Sequence, residues 1–226
     1  VLFNEPEPSS LYGVLVDIVT GDLVAGTIDI FVFADDGSLV PYLEDVSMSD
    51  LGFFFVNDIP EGDYIILGTS ESDEYVPTYS LSSTAWEEAV IYNIEESGPL
   101  ALFQVSMIPI TGLDGNGTIE GTVTADGLKA NGIEAGSRQQ GPLDEANIML
   151  MHSNIPVGQF FTDEEGYFKF DNLPLGTYEV ILEIPGHQRK VVTVTLTEEN
   201  PNATDIDLEA GNISTSTEDV SNLSAL

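Results

Sequence analysis

Asp114, Asn116, Thr118 and Glu120 set an oxygen donor at every second position, an alternation that resembles the start of a calcium loop. The run lacks the glycine and distal acid of an EF-hand. The chemistry it offers is a hard cation that stiffens a glycine-rich segment and neutralises local charge. A second acidic run, Asp163-Glu164-Glu165, reads as a hairpin tip. Tyr75, Tyr79 and Trp86, with Tyr92 close by, supply rings that would stack on sugar faces if exposed, and that would otherwise anchor a core. His152 and His187 sit in no nucleophile or metal-ligand spacing. Acid pairs are too common in so acidic a chain to specify a glycosidase. The residues therefore point to binding rather than to an enzyme, and calcium is the one cofactor they suggest.

The elements that must position these residues are strands. Apolar and β-branched runs at Leu11–Val19, Thr27–Phe33, Phe53–Val56 and Tyr64–Leu67 are followed by similar runs at Thr118–Thr124, Ala146–Met151, Gly158–Phe161, Tyr167–Phe170, Tyr178–Ile184 and Val191–Leu196. Gly21-Asp22 and Asp35-Asp36-Gly37 supply turns between them. Short strands at this spacing, with almost no helical periodicity, predict antiparallel β-sandwiches. One helical signal interrupts them: Thr84-Ala85-Trp86-Glu87 has the form of a capping box, which predicts a short helix.

The chain also repeats itself. Ile59-Pro60-Glu61-Gly62-Asp63-Tyr64 returns as Leu173-Pro174-Leu175-Gly176-Thr177-Tyr178, each copy preceded by an Asp, a Gly and aromatic residues. Duplicated units of this kind are folding units. Proline fixes φ, glycine is expected at positive φ, and the tyrosine packs over the turn with its hydroxyl bonded nearby. Residues 1–112 and 113–210 are thus two sandwich domains, the first lengthened by the aromatic insertion. Thr111–Gly117 has linker composition, and 211–226 is a Ser/Thr-rich tail.

Composition narrows the partners. The 226 residues carry a net charge of −34, yet 42% are hydrophobic, so the chain folds against its own repulsion. All five Lys and Arg and both His follow Thr111, which leaves the first domain without a basic side chain. A field of that sign repels nucleic acid and anionic lipid. Cysteine is absent, which excludes disulfides, thiolate nucleophiles and Cys-ligated zinc. No run approaches the length of a membrane-spanning helix. Val1-Leu2-Phe3-Asn4 lacks a signal peptide's charged start, so the chain reads as a processed or excised soluble piece.

Gly121-Thr122-Val123, Ala146–Leu150 and Thr162–Tyr178 together resemble the carboxypeptidase-regulatory-like and collagen-adhesin B-type families. The first copy matches more loosely, through Gly13-Val14, Ile28–Phe33, Asp50–Phe53 and its Pro60/Gly62/Tyr64 turn. The resemblance implies an all-β chain of two tandem immunoglobulin-like or prealbumin-like sandwiches, of the kind used as spacers and stalks in secreted proteins. Some adhesin repeats form a Lys-Asn isopeptide bond. The first copy has no lysine, and Lys129, Lys169 and Lys190 in the second read as loop or surface residues. Tyr75–Tyr79 followed by Trp86–Ala89 is similar to a signature of large Bacteroidetes surface proteins. Ser216–Leu226 looks like the run before a type IX secretion sorting domain, here absent.

The reading that follows is a non-catalytic module of a secreted cell-surface protein, an adhesin, stalk or extracellular filament subunit. Its partners would be other copies of itself or neighbouring modules, joined through sandwich edges. The alternative is a glycan-binding accessory module of a secreted hydrolase, working through Tyr75, Tyr79 and Trp86.

Overall fold

The computed structural model describes residues 9–95, 100–126 and 140–210. Lys129 and the stretch from Gly211 onward lie outside them. The chain divides into two compact units that part between Ile108 and Pro109. Each is an immunoglobulin-like, prealbumin-like sandwich of mainly antiparallel strands.

The first unit runs through β1 (Leu11–Asp17), β2 (Gly26–Phe33), β3 (Leu39–Ser47), β4 (Phe54–Val56), β5 (Gly62–Ser70), β6 (Tyr75–Val76), β7 (Thr78–Tyr79), β8 (Tyr92–Ile94) and β9 (Ala101–Pro109). One sheet has the order β4-β1-β9-β6. The other has the order β3-β2-β5-β7, with β8 also on β5. The second unit runs through β10 (Gly117–Asp126), β11 (Gln140–Pro142), β12 (Asn147–His152), β13 (Ile155–Phe161), β14 (Tyr167–Leu173), β15 (Gly176–Glu183), β16 (Lys190–Leu196) and β17 (Asn202–Glu209). There β11 and β14 share one edge of β10 while β17 takes the other, and the facing sheet has the order β13-β12-β15-β16.

The strand plan is the same in both. β2 pairs with β3 and β5 as β12 pairs with β13 and β15. In each unit the opening strand also runs parallel to the closing one, β1 with β9 and β10 with β17, a departure from a wholly antiparallel ladder. Alternation makes the cores: β1 buries Leu11, Leu15 and their alternates, and β15 buries Tyr178, Val180 and Leu182. Strands β3, β9 and β17 were not legible as apolar runs, because each turns only alternate residues inward and carries polar or exposed residues between them.

The repeated turns are superposable in their bonding. Gly52 N–H donates to Ser49 O and Ser49 N–H to Phe53 O; Gly166 N–H donates to Asp163 O and Asp163 N–H to Tyr167 O. Gly52 and Gly166 take φ of 82° and 73°, the left-handed position of a type I turn closed by a bulge. After them, the Tyr64 hydroxyl donates to Pro60 O at 3.0 Å and the Tyr178 hydroxyl to Pro174 O at 2.7 Å. Both tyrosines are buried, so the hydroxyl needs this partner.

The glycine of the repeat meets the expectation in one copy only. Gly62 takes the positive φ expected of it, at 157°, whereas Gly176 is not among the positive-φ residues. The left-handed residue is instead Asp58 or Asn172, at φ 57° and 60°, two places before the proline. Asp and Asn tolerate that region better than other side chains. What the glycines provide is clearance: a Cβ would stand 3.2 Å from the Tyr64 ring at Gly62 and 3.0 Å from the His152 ring at Gly176.

Two further expectations change. No capping-box helix forms at Thr84. Trp86–Glu88 is a single 3₁₀ turn capped by Ala85, with no side-chain cap bond, and the Ser83 hydroxyl accepts from Ala85 N–H and donates to Ala85 O. The glycine-rich Thr111–Gly117 belongs to the second unit's packing: Thr111 N–H donates to Pro156 O, and Leu113 lies against the core. A Cβ on Gly115 would run into the Leu173–Pro174 backbone, so its composition reflects close approach as well as flexibility.

Candidate interaction surface

Of the four oxygen donors singled out for calcium, Thr118 and Glu120 share the outer face of β10, while Asp114 and Asn116 are exposed in the segment before it. Both strand residues have protein partners. The Thr118 hydroxyl donates to Asp171 Oδ1 at 3.0 Å, and Glu120 Oε2 accepts from the Tyr167 hydroxyl at 2.8 Å. That bond to a carboxylate, with the charges of Asp171 and Asp163 nearby, pushes the Tyr167 phenol up to about 12. Lys169 completes the face, 3.2 Å from Asp171 Oδ2. The result is a cross-strand polar ladder between β10 and β14. Among the described residues, no group of three or more His, Cys, Asp or Glu stands close enough to enclose a metal. Asp163 caps its own turn, accepting from Glu165 and Tyr167 N–H.

The three rings proposed as a sugar platform are not brought together on a surface. Tyr79 and Trp86 are 1% and 3% exposed and pack with Phe31, Leu39 and Ile65 in a small core on the outer side of the β2-β5 sheet. A platform needs exposed ring faces, and burial removes both. Tyr75 alone is half-exposed, beside Leu23, Ala25 and Glu71 at one end of the unit. Its hydroxyl donates to Asp17 Oδ2 at 2.9 Å, and Asp17 Oδ1 accepts from Val19 N–H at 2.6 Å and Thr20 N–H at 2.8 Å. These bonds, the Thr20 one foremost, hold the Asp17 carboxyl below its ordinary range; the bond to Asp17 raises the Tyr75 phenol.

The histidines take structural places. His152 lies over the Tyr178 ring at 4.9 Å and its Nδ1 is 3.0 Å from Thr177 O. His187 closes the β15–β16 turn through its N–H to Ile184 O. An open concavity in the second unit is lined by Thr122, Thr124, Glu165, Asp207 and Glu209, with Thr122 donating to Asp207. It gathers carboxylates without a nucleophile beside a base.

An ion pair on a buried acid was not foreseen from the residues. Glu183 is 3% exposed, with Arg189 Nε 3.6 Å from its Oε2. The signal was present: an acid ends the apolar run Val180–Leu182, and a base follows across the Pro185-Gly186 turn. Arg189 and Lys190 lead directly into β16, an edge strand.

Residues 118–209 match the carboxypeptidase regulatory-like domain; they make up most of the second unit. No curated protein matches the chain. Among solved structures, the Bacillus anthracis TIE protein is 20% identical with a TM-score of 0.34, the match covering 92% of this chain and 35% of that one. The chain therefore spans about a third of that protein's length. A variant of BcpA, the major pilin subunit of Bacillus cereus, is 10% identical with a TM-score of 0.31, covering 91% and 100%. A DUF3823 family protein from Bacteroides uniformis is 12% identical with a TM-score of 0.33, covering 85% and 100%. Among the described residues, no helix is long and apolar enough to cross a membrane.

Proposed function

We propose that this chain is a non-catalytic structural module of a secreted cell-surface protein, serving as a stalk, adhesin or filament subunit through contacts with copies of itself or with neighbouring modules. The observation that carries this reading is what the duplication contains. Every repeated residue, from the Gly52 and Gly166 turns to the Tyr64 and Tyr178 hydroxyls, is occupied in holding a turn or a corner. Two copies of a scaffold, with no reactive group in the copied part, suit a spacer. An acidic surface keeps such a spacer soluble in a saline medium. Location at the cell surface, and export by a type IX route, belong to the same proposal and rest on the resemblance of Ser216–Leu226.

Light scattering and electron microscopy on purified protein test it, together with surface labelling of intact cells. Assembly and labelling are expected; protein that stays monomeric and forms no assembly removes the filament version. A cation at Asp114, Asn116, Thr118 and Glu120 would serve this role by neutralising charge where the second unit begins. Thermal melts that are the same in calcium and in chelator remove that part alone.

A further inference from the structure

β16 differs from the other long strands at sheet edges. β3, β13, β14 and β17 each carry a register shift in their ladder; β3 and β13 also contain Pro41 and Pro156. Bulges and prolines are how sheet edges are kept from pairing with other chains. β16 has neither. Lys190-Val191-Val192-Thr193-Val194-Thr195-Leu196 pairs with β15 without interruption from Leu182↔Lys190 to Gly176↔Leu196. Val191 is 51% exposed, and among the described residues no strand pairs with the other side of β16.

Its charges are arranged end to end. In a chain with 39 acidic and five basic residues, Arg189 and Lys190 open the strand, no acid interrupts it, and Glu198-Glu199 follow it in the turn where Thr197 N–H donates to Asn200 O. A strand that is basic at its start and acidic past its end is complementary to itself in antiparallel orientation.

We infer that β16 is the surface through which two copies of this chain associate, edge to edge and antiparallel, about a two-fold axis at Thr193. This rests on the structural reading above and names its contact. The register follows from geometry. Residues directly opposite in an antiparallel ladder share a face, so a residue can face only one of like parity, and full overlap of seven residues puts Thr193 opposite itself. Val192 then meets Val194 beside the two cores, Val191 meets Thr195 outside, and Lys190 of one copy reaches the Glu198-Glu199 turn of the other. The pairing is isologous, so each contact occurs twice.

Single-cysteine variants of the full chain read this register, because the protein has no cysteine of its own. Opposed residues stand about 4.5–5.5 Å apart at Cα, within disulfide reach. Thr193→Cys should form a covalent dimer under mild oxidation, while Val191→Cys, offset from its own copy by four residues or roughly 13 Å, should cross-link at least tenfold more slowly. Sedimentation across a concentration series supplies the second readout. Lys190→Glu should weaken association about tenfold, and adding Glu198→Lys should restore it. Equal cross-linking at the two positions, or association indifferent to the charge reversals, overturns the β16 contact and leaves the structural reading standing if the chain still self-associates. A chain that sediments as a monomer at every concentration overturns both the contact and the self-assembling form of that reading.

Discussion

The two sandwiches share one corner and differ in how they satisfy charge. In the first, carboxylates are held by neutral donors: Asp17 by two backbone N–H groups and the Tyr75 hydroxyl, Asp36 by Ser38 N–H and hydroxyl, Asp29 by Asp45 N–H, Asp63 by the Asn93 amide. In the second, neutral donors also hold Glu120, Asp163 and Asp207, and cations are added to them: Lys169 and Arg189 reach Asp171 and Glu183. The outer sheet faces differ in the same spirit. The first unit covers its face with Trp86 and Tyr79, and the second ends its face in buried Glu183, paired with a partly exposed Arg189. A lysine-free surface is thus sustained by neutral donors, backbone N–H groups together with side-chain hydroxyl and amide groups, which salt screens less than it screens ion pairs.

The largest test of that contrast is Trp86→Ala. Trp86 is the only tryptophan and is almost fully buried, so truncation should cost about 3–5 kcal/mol. Calorimetry on the full chain should show the transition of the first unit falling and that of the second unchanged. A surface role for the ring would leave both in place. Next in size is the shared corner. Tyr64→Phe and Tyr178→Phe each strand a proline carbonyl and should each cost about 1 kcal/mol, one in each transition. Equal losses keep the corner as the common element; a loss confined to one unit breaks the equivalence.

These tests also mark how far the residues could be read. Strand existence, the duplication and the tyrosine corner were legible, because alternation and a Pro-x-Gly-x-Tyr spacing are local signals. The left-handed Asp58 and Asn172 were not, since a backbone conformation needs the neighbouring strands to impose it. The capping box at Thr84 gave way to a 3₁₀ turn because burial of Trp86 against Ile65 and Phe31 outweighs a weak local preference. The pairing of Glu183 with Arg189 had only a faint local signal, an acid closing an apolar run and a base after the turn, and it is the closed hairpin that brings the two together.

The smallest effect separates two carboxylates within the first unit. Asp17 has its carboxyl below the ordinary 3.8. Its contribution is therefore present above pH 3.8 and is lost as the pH falls through its lower folded value. Asp29 lies the other way: burial, with Asp45 and Glu44 beside it, raises its carboxyl, so folding favours the protonated form. That advantage is complete below pH 3.8 and disappears as the pH rises through the raised value. Asp29→Asn keeps an oxygen to accept from Asp45 N–H while removing the charge. At pH 7 it should stabilise the first unit by about 0.5 kcal/mol, and the gain should shrink toward pH 4 as the native carboxyl takes up its proton. Melts followed by Trp86 fluorescence report that unit directly, since no other tryptophan contributes. Destabilisation by Asp29→Asn at neutral pH would mean that the ionised carboxylate is held by something beyond the Asp45 amide, and that neutral donors alone do not sustain this surface.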